Sequence, residues 1–530
     1  MKKLPIGIQT IEEIINEGYT YVDKTSLIFS LITEGKYYFL SRPRRFGKSL
    51  LISTLKAIFS GKKELFKNYY IYSADYLWEK HPIIHLDFTR ILTKSPQELK
   101  DSLQRALDEI AKSYDKSIEF PSLQEGFGSL IKQLSEEGKV VVLVDEYDKP
   151  IIDNLHRLEI AEANREVLKN FYGIIKSLDA QLKLVFITGV SKFSKVTLFS
   201  GFNNLDDISI SSTYATLLGY TEEEINYFFI NYIEKIVKKQ NTTHSEIIKE
   251  MREWYNGYHF SSENSTVYNP FSTLKFLKEG KLENYWFQTG TPSFLVEQVK
   301  KFSQSVAQLS GAVASASELL DIHNINKINL KSLMWQTGYL TIQKYDPKTT
   351  LYHLDFPNRE VRRSFFESLL REFAELESST ASLLASKSRK NLEIHNLLSF
   401  FEMMNMFFAN IPYNLFNEGD EGFYHAIFIS LLEAMGIKVH AEQKTNIGRI
   451  DLVVELENII YIFEFKLDKG ANVALEQIEE KKYKEKYSNR GKEISLVGVN
   501  FSSKTRNISE WKAVVYFSNG EIKSNLQNSE

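Results

Sequence analysis

Apolar runs of strand length alternate with stretches of helical periodicity through residues 1–190. The strand-length runs lie at 36–41, 82–88, 139–145 and 182–190. The intervening stretches of helical spacing include 50–55, 94–137 and 154–178. Strands that alternate with helices predict an α/β fold in which a parallel sheet packs against helices.

The pattern changes further along the chain. Residues 206–394 read as mainly helical, with a short hairpin near 333–342, and we expect a helical lid with a winged-helix-like part. Beyond them, two strand-like runs lie close together and predict a hairpin in a second α/β region. A chain of 530 residues exceeds what one hydrophobic core supports. We therefore expect three regions, at 1–205, 206–394 and 395–530.

The first strand-length run leads directly into a candidate phosphate-binding loop. Gly47, Lys48 and Ser49 stand where this run ends and a helical pattern begins. Backbone N–H groups at a new helix N-terminus, together with the helix dipole, attract phosphate. In such loops the lysine contacts the terminal phosphates and the hydroxyl group binds Mg²⁺. We therefore expect Lys48 and Ser49 to bind a nucleoside triphosphate and its Mg²⁺.

The loop departs from the usual pattern at its first position. Arg42 stands where the first glycine is expected, and Arg44 and Arg45 follow it closely. These arginines either add to phosphate binding or form a solvated basic turn. We include Arg45 among the expected nucleotide contacts.

An acidic motif later in the chain supports the nucleotide site. The apolar run at 139–145 ends in Asp145 and Glu146. We expect Asp145 to bind Mg²⁺ through its water shell and Glu146 to act as the base for the attacking water. The run at 82–88, which lies between the two motifs along the chain, marks the additional-strand class of phosphate-loop ATPases.

Two hydroxyl groups follow the last of these strand-length runs. Thr188 and Ser191 stand at its end. A polar residue in this place can hydrogen-bond the γ-phosphate or its water, so both are candidate sensors, and Thr188 is the preferred one. A strand-end cap is the alternative explanation.

Residues 4–205 resemble a family of predicted AAA-type ATPases found in bacteria and archaea. The resemblance rests on the segments LPIGIQTIEEI, YVDKT, FLSRPRRFGKSL, VVLVDEYDKPI and TGVSKFSKVTLFSGFNNL. It implies binding and hydrolysis of ATP with Mg²⁺. It assigns the phosphate, metal and base roles to the residues named above, Gly47, Lys48, Ser49, Asp145 and Glu146.

A second set of charged residues lies on the predicted C-terminal hairpin. Asp451 stands in its first strand, and Glu464 and Lys466 stand in its second. Residues i and i+2 of a strand face the same side, so Glu464 and Lys466 point together. Asp451 and Glu464 are suited to share a hard divalent ion that polarises a phosphodiester, with Lys466 stabilising the developing charge. Glu421, in a preceding helical stretch, is a further candidate ligand, and a salt-bridged hairpin is the alternative.

This spacing resembles the motif of the PD-(D/E)XK nuclease superfamily. More closely, residues 395–525 resemble the nuclease-like domain fused behind this ATPase family, although the leading proline of the motif is absent. Gln477, with Tyr483 or Tyr487, matches the glutamine–tyrosine element of RecB-like members. The match implies that Gln477 and Tyr483 contact the substrate backbone.

Composition restricts the cellular location and the binding partners that we expect. The chain has no cysteine, which excludes a disulfide framework and a cysteine nucleophile and fits a reducing cytoplasm. Neither a signal peptide nor a membrane-spanning run is expected from the pattern. The net charge is −3, so nucleic-acid contacts must come from local patches. The lysine-rich stretch 481–492 is either a phosphate track or a solvated helix face.

These expectations combine into a working hypothesis. The protein binds and hydrolyses ATP with Mg²⁺, and it cleaves nucleic acid, expected to be DNA, with Mg²⁺ or Mn²⁺. The alternative is an ATP-dependent regulatory switch whose C-terminal domain binds nucleic acid or a partner without cleaving it. We expect a cytoplasmic protein with no membrane partner, and a homo-oligomer is compatible with these assignments.

Overall fold

The computed structural model describes most of the chain. The described residues are 1–119, 121–192, 204–263, 265–286, 309, 311–320, 329–374, 378–411, 416, 421–437, 439–444 and 448–528. Most of the last segment of the ATPase resemblance therefore lies outside the described residues.

The regular elements follow the alternation of the sequence. The α-helices are α1 (Ile11–Asn16), α2 (Thr25–Glu34), α3 (Lys48–Phe59), α4 (Tyr70–Ser73), α5 (Pro96–Ser113), α6 (Leu123–Leu134), α7 (Lys149–Ile152), α8 (Leu158–Gly173), α9 (Glu222–Phe228), α10 (Ile230–Gln240), α11 (His244–Tyr255), α12 (Pro270–Glu279), α13 (Ala316–Leu320), α14 (Leu330–Thr337), α15 (Arg359–Ala374), α16 (Ser378–Glu393), α17 (Leu397–Phe408), α18 (Glu421–Ala434) and α19 (Ala471–Glu480). Short 3₁₀ helices include Phe88–Arg90, Ile208–Ile210 and Tyr483–Arg490.

The strands form separate sheets. They are β1 (Tyr37–Ser41), β2 (Ile83–Asp87), β3 (Val140–Asp145), β4 (Leu182–Gly189), β5 (Asp206–Asp207), β6 (Tyr258–His259), β7 (Thr266–Val267), β8 (Ala312–Ser315), β9 (Thr341–Asp346), β10 (Leu351–Asp355), β11 (Val439–Lys444), β12 (Arg449–Glu455), β13 (Ile459–Leu467), β14 (Glu493–Ser502), β15 (Asn507–Tyr516) and β16 (Ile522–Gln527).

Two compact units account for the chain. The N-terminal unit is drawn from residues 1–289 and 313–358, and the C-terminal unit from 290–312 and 359–530. The region boundaries expected after residues 205 and 394 stay predictions.

The N-terminal unit is built on a parallel sheet in the order β2-β3-β4-β1-β5. Every residue of β1 and β3 is buried, which explains why both strands read as continuous apolar runs. The strand that lies between β1 and β3 is β4, while β2 lies at the sheet edge. The additional-strand arrangement is therefore confirmed, but the inserted strand is β4 and not the expected run at 82–88.

The helical part of this unit has a core of its own. Helices α9 to α12 pack around Phe229, Met251, Tyr255 and Phe276, all of which are fully buried. Capping boxes open α9 and α11, because Thr221 and Thr243 each exchange hydrogen bonds with a glutamate three residues later. The hairpin expected near 333–342 lies further along the chain: residues 333–337 belong to α14, and the antiparallel pair is β9 with β10.

The C-terminal unit is a second α/β fold. Its mixed sheet has the order β11-β12-β13-β14-β15-β16, and β13 with β14 is the parallel pair. A parallel pair needs a crossover, and α19 provides it by packing on both strands. The aromatic rings of Phe428 on α18, Phe463 and Phe465 on β13, and Phe501 on β14 meet on one face of the sheet. This packing holds α18 against the strand that carries Glu464.

Within the described part of the chain, no helix combines the length and the apolar character needed to cross a bilayer.

Candidate nucleotide and metal sites

The loop between β1 and α3 has the backbone of an anion-binding turn. Gly47 caps α3 with φ of 91°, a left-handed conformation that glycine adopts without steric cost. Lys48 begins the helix, and its Nζ donates to the carbonyl oxygens of Arg42 at 3.0 Å and Pro43 at 3.1 Å. Burial lowers the pKa of Lys48, and the carboxylate of Glu146 opposes this shift. Lys48 is thus a buried cation held at the centre of the loop.

The hydroxyl and the acid expected to share Mg²⁺ lie side by side. Ser49 Oγ donates to Asp145 Oδ2 at 2.6 Å, although the two residues are 96 positions apart. Thr188 Oγ1 lies 3.5 Å from Asp145 Oδ1, at the limit of a hydrogen bond. The sheet order explains this meeting, because β4 brings Thr188 between the strand of Asp145 and the phosphate loop.

Glu146 adopts a backbone conformation unlike that of Asp145. Its φ is 54°, in the left-handed region that is uncommon for a residue with a side chain. Burial raises the pKa of Glu146, and the ammonium group of Lys48 opposes that shift. The turn places Glu146 on the wall of a cavity that the phosphate loop also lines.

This cavity has the size of a nucleotide site. Its volume is about 390 Å³, within the usual range for small-molecule pockets. Its wall includes Arg44, Arg45, Gly47, Lys48, Ser49 and Glu146, with Pro270 and Phe271 of α12. A smaller cavity of about 80 Å³ shares Gly47, Leu50 and Tyr220 with it and is otherwise largely apolar. Together they offer a charged part for phosphates and an apolar part for a base.

Arg42 does not take either of the roles expected for it. It is buried, and its guanidinium donates to the carbonyl oxygens of Ser41, Ser209 and Tyr214. The guanidinium carbon also lies 4.0 Å from the ring centroid of Phe260. Arg42 therefore links separate segments of the fold, and it is neither a phosphate contact nor part of a solvated turn. Arg44 and Arg45 do line the cavity.

The C-terminal candidates converge on the hairpin of β12 and β13. The backbone N–H of Phe465 donates to Asp451 Oδ2 at 3.0 Å, which joins the two strands at the acids. Glu464 is buried, and its Oε1 accepts hydrogen bonds from Lys466 Nζ at 3.1 Å and from Gln477 Nε2. Among the described residues, nothing hydrogen-bonds the buried Oε2 of Glu464. A buried carboxylate oxygen without a partner is costly unless a cation binds it.

The charges on the hairpin also favour a bound cation. Burial raises the pKa of Glu464 to about 7, the charge of Asp451 adds to the shift, and Lys466 opposes it. Lys466 also donates to the carbonyl oxygen of Phe465 at 2.9 Å, so its ammonium group is fixed beside the acids. Two crowded carboxylates that lack a full complement of cations form a natural position for a divalent ion.

Helix α18 brings a third acid and a histidine to the same place. Ligand atoms of Glu421, His425 and Asp451 lie within 4.8 Å of one another. The ring of His425 packs 4.6 Å from that of Phe465, which sets its position. Oxygen ligands with one imidazole suit Mg²⁺ or Mn²⁺. Glu464 is not in this group of three.

The glutamine–tyrosine pair has defined partners. Gln477 on α19 donates to Glu464, and Tyr483 donates its hydroxyl hydrogen to the carbonyl oxygen of Arg449 at 2.7 Å. Both side chains therefore brace the hairpin. Their expected contact with the substrate backbone stays a prediction.

Comparison with known proteins identifies a family for an N-terminal part and for a C-terminal part of the chain. The model of a family described as predicted AAA-ATPase matches residues 5–199, and that of the PD-(D/E)XK nuclease superfamily matches residues 419–511. A protein of Azotobacter chroococcum mcd 1, described as an uncharacterized protein in the vnfD 5′ region, is 38% identical over 528 residues, which cover 96% of this chain and 98% of the relative. The chain belongs to the predicted AAA-ATPase family. The chain also carries a PD-(D/E)XK nuclease superfamily domain. No solved structure matches the chain.

Two residues of this AAA-ATPase family member were missed by reasoning from the sequence. Asp148 is fully buried and accepts hydrogen bonds from the backbone N–H groups of Val190 and Ser191 and from the Ser191 hydroxyl. It thereby ties the end of β4 to the end of β3, and it engages Ser191, so that Thr188 is the hydroxyl beside Asp145. The last acid of the DEYD segment was the available signal.

His425 is the other missed residue. It stands four positions after Glu421 on α18, the spacing that puts two side chains on one helix face. A glutamate and a histidine at this spacing before an acid-bearing hairpin were the available signal.

Proposed function

We propose that this protein hydrolyses ATP in its N-terminal unit and cleaves phosphodiester bonds of nucleic acid in its C-terminal unit. The nuclease half rests chiefly on one observation. The buried Glu464 has an oxygen without a partner, beside Asp451 and Lys466. The ATPase half is supported by the contact between Ser49 and Asp145 at the wall of the phosphate-loop cavity.

In the ATPase half, each residue has a role that follows from its position. The amides at the start of α3 and the ammonium group of Lys48 bind the phosphates. Ser49 and Asp145 would hold Mg²⁺, which neutralises phosphate charge when bound. Glu146, on the cavity wall with a raised pKa, accepts the proton of the attacking water. Thr188 orients that water or the terminal phosphate from the tip of β4.

In the nuclease half, the acids would hold the metal and the lysine acts on the substrate. Asp451 and Glu464 would bind Mg²⁺ or Mn²⁺, with Glu421 and His425 as further ligands. A bound divalent ion polarises a phosphodiester and lowers the pKa of its water. Lys466 stabilises the negative charge that develops on the phosphate. This assignment adds His425 to the expected metal ligands.

The remaining proposals concern substrate contacts, the nucleic acid, the location and the assembly. Gln477 fixes Glu464 and, with Tyr483, contacts the substrate backbone. Arg45 binds phosphate from the wall of the nucleotide cavity. We propose DNA as the nucleic acid, the reducing cytoplasm as the location, and a homo-oligomer as the assembly.

The decisive experiment measures cleavage and ATP turnover on one preparation. Full-length protein is incubated with plasmid or single-stranded DNA and Mg²⁺ or Mn²⁺, with and without ATP. We expect cleavage that is lost in Asp451→Ala and Lys466→Ala. DNA binding without cleavage in every metal would instead favour the regulatory switch.

A further inference from the structure

A polar groove lies on the N-terminal unit apart from the nucleotide cavity. It has a volume of about 660 Å³ and is bounded by β2, α3 and α5. We call it the β2 groove, and its characteristic residues are Lys56, His85, Arg90, Arg105, Glu109 and Tyr114. It shares no lining residue with the phosphate-loop cavity. A ligand in the β2 groove is therefore separate from bound ATP.

Two hydrogen bonds define the ends of the β2 groove. At one end, the backbone N–H of Ile83, the first residue of β2, donates to the hydroxyl of Tyr114 at 2.8 Å. At the other end, the N–H of Leu92, beyond the end of β2, donates to Ser102 Oγ at 3.2 Å. Arg90 belongs to this second end. On α5, Ser102 lies at this end and Arg105 follows it by about one helical turn, while the helix continues towards Tyr114.

The three cations of the β2 groove form no ion pair with the two carboxylates that also line it, those of Asp87 and Glu109. Lys56, Arg90 and Arg105 are exposed, and within the described chain none of them forms an ion pair. Asp87, one of these carboxylates, accepts hydrogen bonds from the N–H of Thr89 at 2.9 Å and from its hydroxyl at 2.6 Å. Its charge is therefore partly engaged within its own turn.

His85 adds an unsatisfied polar atom at the centre of the groove. Its Nε2 is buried and has no hydrogen-bond partner in the described residues. Burial lowers the pKa of His85, and the positive charges of Lys56 and Arg90 lower it further, while Asp87 and Asp145 oppose them. Lys56, Arg90 and the unpartnered ring nitrogen of His85 thus belong to the same groove.

We propose that the β2 groove binds a phosphomonoester of about mononucleotide size. Guanidinium groups bind phosphate oxygens in pairs, and the three cations of the groove outnumber its two carboxylates. The volume falls in the range of small-molecule sites and exceeds the need of phosphate alone.

The far end of the groove selects against a longer polyanion. Glu109 and Tyr114 lie towards the start of β2, away from Arg90. A continuous nucleic-acid backbone would bring further phosphates to the carboxylate of Glu109, and like charges repel. Glu109 and Tyr114 are instead suited to hydroxyl or amino groups of a discrete ligand.

Calorimetric titration of the full-length protein tests this site. The probes are inorganic phosphate and the four 5′-mononucleotides, added to Lys48→Ala, which weakens the phosphate loop, and to the wild-type protein. We expect one saturable site that takes at least one mononucleotide more tightly than phosphate. The double variant Arg90→Gln/Arg105→Gln should weaken this binding by about tenfold or more in both backgrounds.

The matched control lies on the same helix. Lys100→Gln/Lys112→Gln removes two exposed cations of α5 that do not line the groove, and binding should stay unchanged. Neither groove arginine forms an ion pair, so the double variant should keep the wild-type melting temperature. If it does not, Lys56→Gln provides the same comparison.

Three results would overturn the proposal. One is the absence of saturable binding at millimolar probe concentrations. Another is binding that the groove variants leave unchanged. The third is single-stranded DNA that binds more tightly than every mononucleotide and loses this binding in the double variant, because that result would assign the groove to a nucleic-acid strand.

Discussion

The two acidic sites of this chain use the same residue types in different structural settings. In the N-terminal unit, Asp145 and Glu146 are consecutive residues at the end of a parallel strand, facing a helix N-terminus. In the C-terminal unit, Asp451 and Glu464 lie on neighbouring antiparallel strands joined by one turn. Asp145 thus lies beside the hydroxyl groups of Ser49 and Thr188, whereas Asp451 and Glu464 lie beside each other.

The groups that surround the acids determine which ligand each site lacks. Both oxygens of Asp145 lie near hydroxyl groups, and the wall of the adjoining cavity carries Arg44, Arg45, Lys48 and Lys149, so the missing ligand is an anion. Glu464 keeps an unpartnered buried oxygen beside a second acid, so the missing ligand is a cation. Acid–lysine sets therefore cannot be assigned a function until the backbone around them is known.

The largest expected effect tests whether the two sites are separate. Lys466→Ala removes the cation that binds Glu464, and DNA cleavage should fall by about 10²–10³-fold. ATP turnover should stay at the wild-type rate, because Lys466 belongs to the C-terminal unit. Plasmid nicking and phosphate release are measured on one preparation. Lys469→Ala, an exposed lysine three residues later, is the control. Equal loss of both activities would contradict the separation.

The reciprocal change tests the N-terminal acid. Glu146→Gln keeps the size of the side chain but removes the base, and ATP hydrolysis should fall by about 10²-fold while ATP binding persists. Cleavage measured without ATP should not change. Steady-state turnover and nucleotide titration check this, with the exposed Glu159→Gln as control. Turnover at the wild-type rate would rule out Glu146 as the base.

Metal affinity should depend on pH in the C-terminal site. The pKa of Glu464 is raised to about 7, so below pH 7 a metal must displace a proton. Mn²⁺ affinity, measured by titration without ATP, should fall about tenfold for each pH unit below 7 and level off above it. Glu464→Gln should flatten the profile, and a flat wild-type profile would contradict the assignment.

The same shift has a consequence for stability without metal. A raised pKa means that the folded state favours the protonated carboxyl group. This contribution to the free energy of unfolding is fully present below about pH 4.5 and is lost as the pH rises through about 7. Added metal should therefore stabilise the protein most at neutral pH and above.

The smallest expected effect concerns Asp148. Asp148→Asn keeps one acceptor oxygen but loses the charge that binds Val190 and Ser191. The free energy of unfolding should fall by about 1 kcal/mol. Thermal denaturation measures the change. Asp153→Asn, an exposed acid on the same segment, should leave the melting temperature near that of the wild type.

Much of both sites was readable from local patterns. Gly47, Lys48 and Ser49 are consecutive, and Asp451, Glu464 and Lys466 lie on a single hairpin. In each case the backbone between the residues is short and regular, so periodicity alone predicts which side chains come together. The parallel sheet and the C-terminal α/β region followed from the same periodicity.

Other features depend on partners that are distant along the chain. Arg42 reads as a basic loop residue, but its carbonyl partners lie at Ser209 and Tyr214 and its aromatic partner at Phe260. Likewise, the position of β4 between β1 and β3 depends on sheet order, which chain order does not reveal.

The chain alone was enough to locate two strand-borne acid sites and the phosphate loop, because local hydrogen bonding and side-chain periodicity act over a few residues. The folded molecule was needed to show that Arg42 is buried, that His425 lies beside Asp451, and that Glu464 has an oxygen without a partner. Burial and the supply of partners arise from packing between segments far apart in sequence, and no local pattern encodes them.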